Sequence, residues 1–309
     1  MMHGIRIADG DWEALIDVAH GANCIALRNK RYNAKLLREP PEDGVLDNPY
    51  LYGMPILFPV NRIEGGRFEF EGRTYEFPIN EPSTGCHLHG ELHRMPFEIS
   101  DRQSQKITCR YRAEKGEYLN FPHAFEIVQE YELKPDGFYH TVTVKNLSGQ
   151  NMPLFLGFHT TFYTLFTSES RIGDVRVFTD ITKEYERNME KNYLPTGKTP
   201  AFDDVSAALS EGRYDPFGGT ASRHYRGMGK MAITDEKRHL RLIYENDEKY
   251  AFRLIYNGGK EGYICLEPQT CLANCQNAPF PREESGFDFL KVGESKAYIS
   301  KICLEDYQP

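Results

Sequence analysis

Ten consecutive residues carry three imidazoles. Gly85–Arg94, GCHLHGELHR, places His87, His89 and His93 within seven residues. On an extended chain alternate side chains share a face, so all three would point the same way. Such a cluster suits a metal, for which neutral imidazole is a common ligand, or a surface for a sugar or an anion. Polar filler on a wet strand looks the same. Three further polar groups interrupt apolar runs. His159 lies within PLFLGFHTTF, residues 153–162, where a hydrogen-bonded core histidine fits the pattern equally well. Glu267 follows Ile264, Cys265 and Leu266 and precedes Pro268, which biases it toward an extended or turn conformation at a strand end, partly desolvated. Arg62 follows the run PILFPVN, free to bridge sugar hydroxyls or to pair with Glu64. An acid, a base and a cation near strand ends suit proton transfer on a polar small molecule.

Other chemistries find no support. There is no glycine-rich phosphate loop, dinucleotide fingerprint, kinase signature or G-x-S-x-G nucleophile elbow. Cys271-x3-Cys275 lacks the second cysteine pair of a zinc ribbon. A formal net charge of −8 leaves no basic surplus to neutralise phosphates, which argues against a nucleic-acid partner. No apolar stretch resembles a secretory signal or a membrane span, so the seven cysteines read as reduced, buried thiols of a cytoplasmic protein. In that setting the glycosylation pattern at Asn146 carries no information.

The elements that must position these groups are short strands. Ile5–Ile7, Trp12–Val18 and Asn23–Arg28 open the chain. Gly65–Asn80 is the clearest hairpin, alternating through Phe68 and Phe70, turning at Glu71-Gly72 and alternating again through Tyr75 and Phe77. Phe97–Ser100, Lys106–Arg112, Phe125–Leu133 and Gly137–Lys145 follow, the last two joined at Asp136-Gly137. Later strands are expected at Arg171–Phe178, Ala232–Asp235, Leu240–Tyr244, Ala251–Asn257, Gly262–Glu267 and Ala297–Leu304. Three prolines exclude an interior helix over 48–59. Asp203–Glu211 is the one helical candidate, capped by Asp203 or Asp204. With 40% hydrophobic residues in 309, the whole chain, 1–309, is expected to form one all-β domain, an antiparallel sandwich or barrel.

In this order the segments resemble the aldose 1-epimerase, or galactose mutarotase-like, family. The matching stretches are GMPILFPVNRIEGGRFEFEGRTYEFPIN, LHG at 88–90, LGFHTTF at 156–162 and CLEPQT at 265–270. The resemblance implies a large antiparallel β-supersandwich that binds an aldose in a cleft on its concave side. It assigns the general base to Glu267, the general acid to His159, a second active-site histidine to His89 and a substrate-binding arginine to Arg62. Its substrate-binding aspartate is matched best by Asp215 of Tyr214-Asp215-Pro216-Phe217, at a different spacing. Two departures stand out. The family's galactose enzymes resemble N-x-T-H-x-Y-F around the acid, against GFHTTF here, and a second glycine after LHG, against Glu91. They put galactose itself in question.

The implied reaction opens the hemiacetal, turns about C1–C2 and closes on the opposite face. It needs no metal, nucleotide or covalent intermediate. With reference pKa values near ~4.3 and ~6.5, Glu267 would be ionised at pH 7 and His159 about a quarter protonated, more so beside a carboxylate. Tyr193 and Phe280 are candidate stackers on the sugar. A phosphorylated sugar would need extra cations, for which Arg94, Arg223 and Arg226 are candidates. Two other readings stand beside this one. The first is a sugar-binding protein on the same fold without catalysis. The second is a cupin-type metalloenzyme built on His87-x-His89, for which Glu91 and His93 match the expected ligand spacing poorly.

Overall fold

The computed structural model describes residues 4–44, 46–219, 221–258 and 262–308. Its largest sheet has eight antiparallel strands, in the order Glu98–Arg102, Lys106–Ala113, Phe125–Lys134, Gly137–Asn146, Ser295–Asp306, Leu240–Asn246, Gly229–Asp235 and Val175–Thr179. Alternation explains these strands. Phe125–Lys134 buries every second residue through Phe125, Ile127, Gln129, Tyr131 and Leu133, so one face turns to the core and the other to water.

A second sheet follows the order Lys183–Tyr185, Ser222–Arg226, Phe252–Tyr256, Tyr263–Gln269, Gly157–Phe158 and Ile56–Leu57, with Thr161–Tyr163 also paired to Tyr263–Gln269. The two sheets pack face to face. His140 meets Phe158 edge-on with ring centres 4.8 Å apart, Tyr244 meets Phe162 at 5.4 Å, and the Tyr244 and Thr160 hydroxyls lie 3.1 Å apart. A four-stranded sheet begins the chain: Ile5–Asp9, Trp12–Asp17, Asn23–Asn29 and Ala34–Lys35. It adds Trp12, Ala14, Ile16, Cys24 and Leu27 to the core. The fold is an antiparallel β-supersandwich.

The expected hairpin forms as Arg67–Phe70 paired with Arg73–Glu76, with Glu71 and Gly72 both at positive φ in a two-residue turn. The helix spans Asp204–Ser210, capped by Asp203, whose carboxylate accepts from the Ser206 amide at 3.0 Å. The only helical segment over 48–59 is a short 3-10 turn, Pro49–Leu51. The expected strand at Arg171–Phe178 begins only at Val175, because Arg171–Asp174 turns back on itself through an amide–carbonyl bond of 3.2 Å. Short strands at Lys183–Tyr185 and Ser222–Arg226 carry no clean alternation and become visible only in the sheet.

Candidate active site

The site is built on Tyr263–Gln269, a strand buried along its whole length. Its even residues Ile264 and Leu266 face the sandwich core, each contributing about 1.5–3 kcal/mol by full burial. Period two then turns Cys265, Glu267 and Gln269 to the opposite face. Pro268 does not end this strand, as expected from its type, but lies within it opposite Arg253. Glu267 is therefore fully buried within the strand rather than partly desolvated at its end.

His159 comes from the link between Gly157–Phe158 and Thr161–Tyr163, both paired with the Glu267 strand. Its amide donates to Pro55 O at 3.1 Å. Its Nε2 stands 3.2 Å from Glu267 Oε1. The other carboxyl oxygen, Oε2, accepts from Gln269 Nε2 at 3.0 Å, and Gln269 Oε1 accepts from Asn61 Nδ2 at 3.1 Å. Asn61 thus supports the carboxyl group through one amide.

Asn61 also fixes His89. The His89 amide donates to Asn61 O at 3.0 Å, and His89 Nδ1 accepts from the Asn61 amide at 3.3 Å. That bond places the proton of a neutral His89 on Nε2. The strand Cys86–Leu88 ends just before, and His89 and Gly90 both take the left-handed conformation, φ +62° and +64°. The three histidines therefore do not share one extended face. Gly90 is required twice over: by its φ, and because a Cβ there would run into the Phe58 carbonyl. Tyr118 locks the turn, donating to Phe58 O and accepting from the Glu91 and Leu92 amides at 2.8 and 3.1 Å. Gly90→Ala is expected to cost about 2 kcal/mol or more, as strain plus a displaced His89, read as a fall in the urea midpoint. An unchanged midpoint would contradict this account of the turn. Glu91, where the family's galactose enzymes carry glycine, has a negative φ of −127° and needs no glycine.

Arg62 opens the strand Arg62–Glu64, opposite Leu88. Its partner is Glu81 and not Glu64: Nε and Nη2 reach the two Glu81 oxygens at 2.6 and 2.7 Å. Burial would raise Glu81, but the bonds from Arg62 and Thr84 outweigh it and hold the carboxyl below its ordinary value. The guanidinium stacks over the Tyr193 ring at 4.6 Å. Arg187 projects from the segment after Lys183–Tyr185, its Nη2 donating to the carbonyl and, at 2.9 Å, to the hydroxyl of Ser222. These groups line one cavity of about 370 Å³, with Tyr50, Leu254 and Tyr256 completing its wall. The Tyr50 ring sits 4.8 Å from His89 and 6.0 Å from His159.

Burial dominates the electrostatics. It raises Glu267 to about 8 against the Gln269 hydrogen bond and the Arg187 and Arg62 charges, and lowers His159 to about 4. It also takes His89 well below its ordinary value, helped by His159 and Arg62. The expected ionised Glu267 with a partly protonated His159 is thereby corrected. Burial therefore favours the neutral form of both groups, a protonated Glu267 beside an unprotonated His159, with Oε1 the carboxyl oxygen left without a hydrogen bond.

Of the residues singled out in the sequence, Arg62, His89, His159, Glu267 and Tyr193 line the cavity. Asp215 does not; its carboxylate caps a turn, accepting from the Phe217 amide at 2.9 Å. Phe280 packs on Tyr185 instead. His87 is buried against Phe77 with Nδ1 2.7 Å from Pro78 O, and His93 packs under Tyr50 and accepts from Arg94 Nε at 3.2 Å. His87 and His89 thus face different surroundings, which removes the geometric basis of the cupin reading. Among the described residues one set has three donor atoms within 4.8 Å of one another: His159, Cys265 and Glu267. Its thiol is pushed far up by burial and lies 3.4 Å from the Thr161 hydroxyl. Arg94 is exposed, Arg223 is bound to Glu184 and Asp203, and Arg226 lies over Phe252, so none of the three lines the cavity. Sequence reasoning missed Tyr50, Asn61, Glu81, Arg187 and Gln269. Gln269 alone was legible, as the next same-face residue after Glu267 in the EPQ stretch.

Residues 5–302 match the family described as Aldose 1-epimerase. A galactose mutarotase-like protein from Clostridium acetobutylicum superposes with a TM-score of 0.91 at 29% identity, covering 97% of this chain and 94% of that one. A putative aldose 1-epimerase from Escherichia coli shares the fold, with a TM-score of 0.79 at 17% identity over 98% and 99% of the two chains. Two Escherichia coli relatives match in part. YphB is 24% identical over 132 residues, and YihR is 30% identical over 105. These matches take in 43% and 34% of this chain, and span only 43% and 32% of the two relatives' lengths. With nearly its whole length matched, the chain belongs to the aldose 1-epimerase family.

Proposed function

We propose that the protein is an aldose mutarotase, interconverting the α and β anomers of a hexose or related aldose at this cavity. The observation that carries the reading is the Glu267–His159 pair: a carboxyl and an imidazole 3.2 Å apart and buried, with burial raising the one and lowering the other. Ring opening needs a base on the anomeric hydroxyl and an acid on the ring oxygen, and one proton held between two sites supplies both. In the opening direction Glu267 takes the hydroxyl proton while His159 protonates the ring oxygen. Opening breaks the bond from C1 to the ring oxygen. After rotation about C1–C2 that bond re-forms as the transfers reverse, Glu267 giving its proton to the carbonyl oxygen and His159 taking one back from the open-chain hydroxyl, with no net change of oxidation state. The resting proton lies on Glu267, so binding must favour the carboxylate–imidazolium form. The Arg187 charge and an anomeric O–H donated to Oε1 both act in that direction. His89 Nε2–H and the Arg62 fork would orient sugar hydroxyls, and the Tyr50 and Tyr193 rings would flank its apolar face. The free cysteines, six of them buried, fit a cytoplasmic setting.

This reading sets the pH dependence. Burial raises the folded Glu267 and lowers the folded His159, so the one-proton state spans about pH 4 to about 8. Above about 8 the pair loses its last proton and has no acid; below about 4 it takes up a second and has no base. The expected kcat/KM, corrected for the buffer rate, is level between these limits and falls outside them. A rate that climbs through pH 8 would contradict the shared-proton mechanism. Tight sugar binding without turnover across the whole range would favour a binding protein on this fold.

A further inference from the structure

Arg187 is only 8% exposed, yet among the described residues no carboxylate lies within ion-pair distance of it. Its acidic neighbours in the chain are engaged elsewhere. Glu184 holds Arg223 and the Ser206 hydroxyl, and Glu186 holds Thr196 and Lys198. Charges elsewhere in the cavity cancel: Arg62 is matched by Glu81, and His89 and His159 are neutral. Burial lowers Arg187 only to about 10, so it stays a cation at neutral pH. Among the described residues Arg187 is thus a buried, cavity-lining cation without an ion-pair partner.

Its donors are available. Nη2 is spent on Ser222, whereas among the described residues Nε and Nη1 show no hydrogen-bond partner, and the side chain lines the cavity. Arg253 shows the contrast. It is fully buried, it satisfies Nη1 on the Tyr250 and Phe252 carbonyls, and its Nε and Nη2 are closed off in the core. Arg187 is anchored to Ser222, whose strand lies two strand spacings from that of Glu267, about 10 Å across the sheet. Arg187 and Glu267 thus reach the wall of the same cavity from separate parts of one sheet.

We infer that Arg187 recognises an anionic substituent, so that the site takes an aldose bearing a carboxylate or phosphate in preference to a neutral hexose. A guanidinium fork with a free edge matches either planar or tetrahedral oxyanions. The inference rests on the cavity being the sugar site and specifies which sugars enter it. Arg187 acts as a specificity determinant on the wall of that cavity.

The test is calorimetric binding of matched sugars to the full chain: glucose against glucuronate and glucose 6-phosphate, and galactose against galacturonate. The anionic member of at least one pair is expected to bind tenfold or more tightly than its neutral counterpart, weakening as salt is raised. Arg187→Gln should erase the preference, and Arg187→Lys, which keeps the charge without the fork, should restore part of it. A response to the uronates alone identifies a carboxylate, and one to the phosphate alone a phosphate. Equal or tighter binding of the neutral sugars, or a preference that survives Arg187→Gln, overturns the inference. Should the glutamine variant not fold, the wild-type preference and its salt dependence decide. Mutarotation rates on the same sugars separate the two claims. Anion-selective binding without acceleration overturns the mutarotase reading alone, and acceleration without anion preference overturns this inference alone.

Discussion

Replacing Glu267 by glutamine is expected to abolish the acceleration of mutarotation while leaving the fold intact and more stable near neutrality. The side chain keeps its shape, and its amide oxygen still accepts from Gln269 Nε2. What is lost is the exchangeable proton, and a positioned proton-transfer group is worth roughly 10²–10⁴ in rate. The stability effect follows from linkage. Burial lifts the folded Glu267 to about 8 from an ordinary value of 4.5, so the unfolded chain releases its proton first as pH rises. Stability contributed at low pH is therefore lost progressively between about 4.5 and 8 in the wild type. Glutamine has nothing to ionise, so its melting temperature relative to wild type should rise from pH 5 to pH 8, by roughly 2 °C or more. A melting difference that does not change with pH would mean that burial does not govern this carboxyl.

His159→Gln is the second large effect. The imidazole Nε2 stands 3.2 Å from Glu267 Oε1, and His89 meets the His159 ring edge-on with centres 5.7 Å apart. Loss of the imidazole is expected to lower kcat by about 10²–10⁴ with little change in sugar binding. Because the two groups share one proton, they act as a unit. The double variant should be no slower than the slower single one, whereas independent contributions would multiply. Multiplying losses would contradict a shared proton even if each single variant were inactive.

Alternation and turn chemistry exposed much of this fold in advance. Phe68, Phe70 and Tyr75 are two apart on each arm of their hairpin, and Glu71-Gly72 supplies the two positive-φ residues its turn demands. The site was legible where polar residues broke apolar runs, at His159, Glu267 and Arg62. It was not legible where long-range packing decides. Arg187 lies in KEYERNMEKNYLPTGK, a polar segment whose composition reads as surface, and only the sheet beside it buries the guanidinium. Glu64 was the nearest acid to Arg62 in sequence, yet Glu81, seventeen positions farther along, meets the arginine fork. Reference acidities failed for the same reason: desolvation belongs to the assembled strand, and on Glu267 it outweighs the field of two arginines. Asp215 fitted a short motif by residue type, but its local turn absorbs the carboxylate. The departures around His159 also find physical places. Phe158 fills the sandwich core against His140, Thr160 meets Tyr244, and a Cβ on Gly157 would strike Val60.

The central claim is tested most directly by following the optical rotation, or the anomeric proton signals, of freshly dissolved α-aldoses with wild-type protein and with Glu267→Gln. The panel should include neutral hexoses, hexuronates and hexose 6-phosphates, with chelator present throughout. The predicted result is relaxation faster than buffer for at least one sugar with the wild type, and the buffer rate with the variant, which still binds that sugar. Buffer-rate relaxation of every sugar by the wild type, or full acceleration by Glu267→Gln, would contradict it.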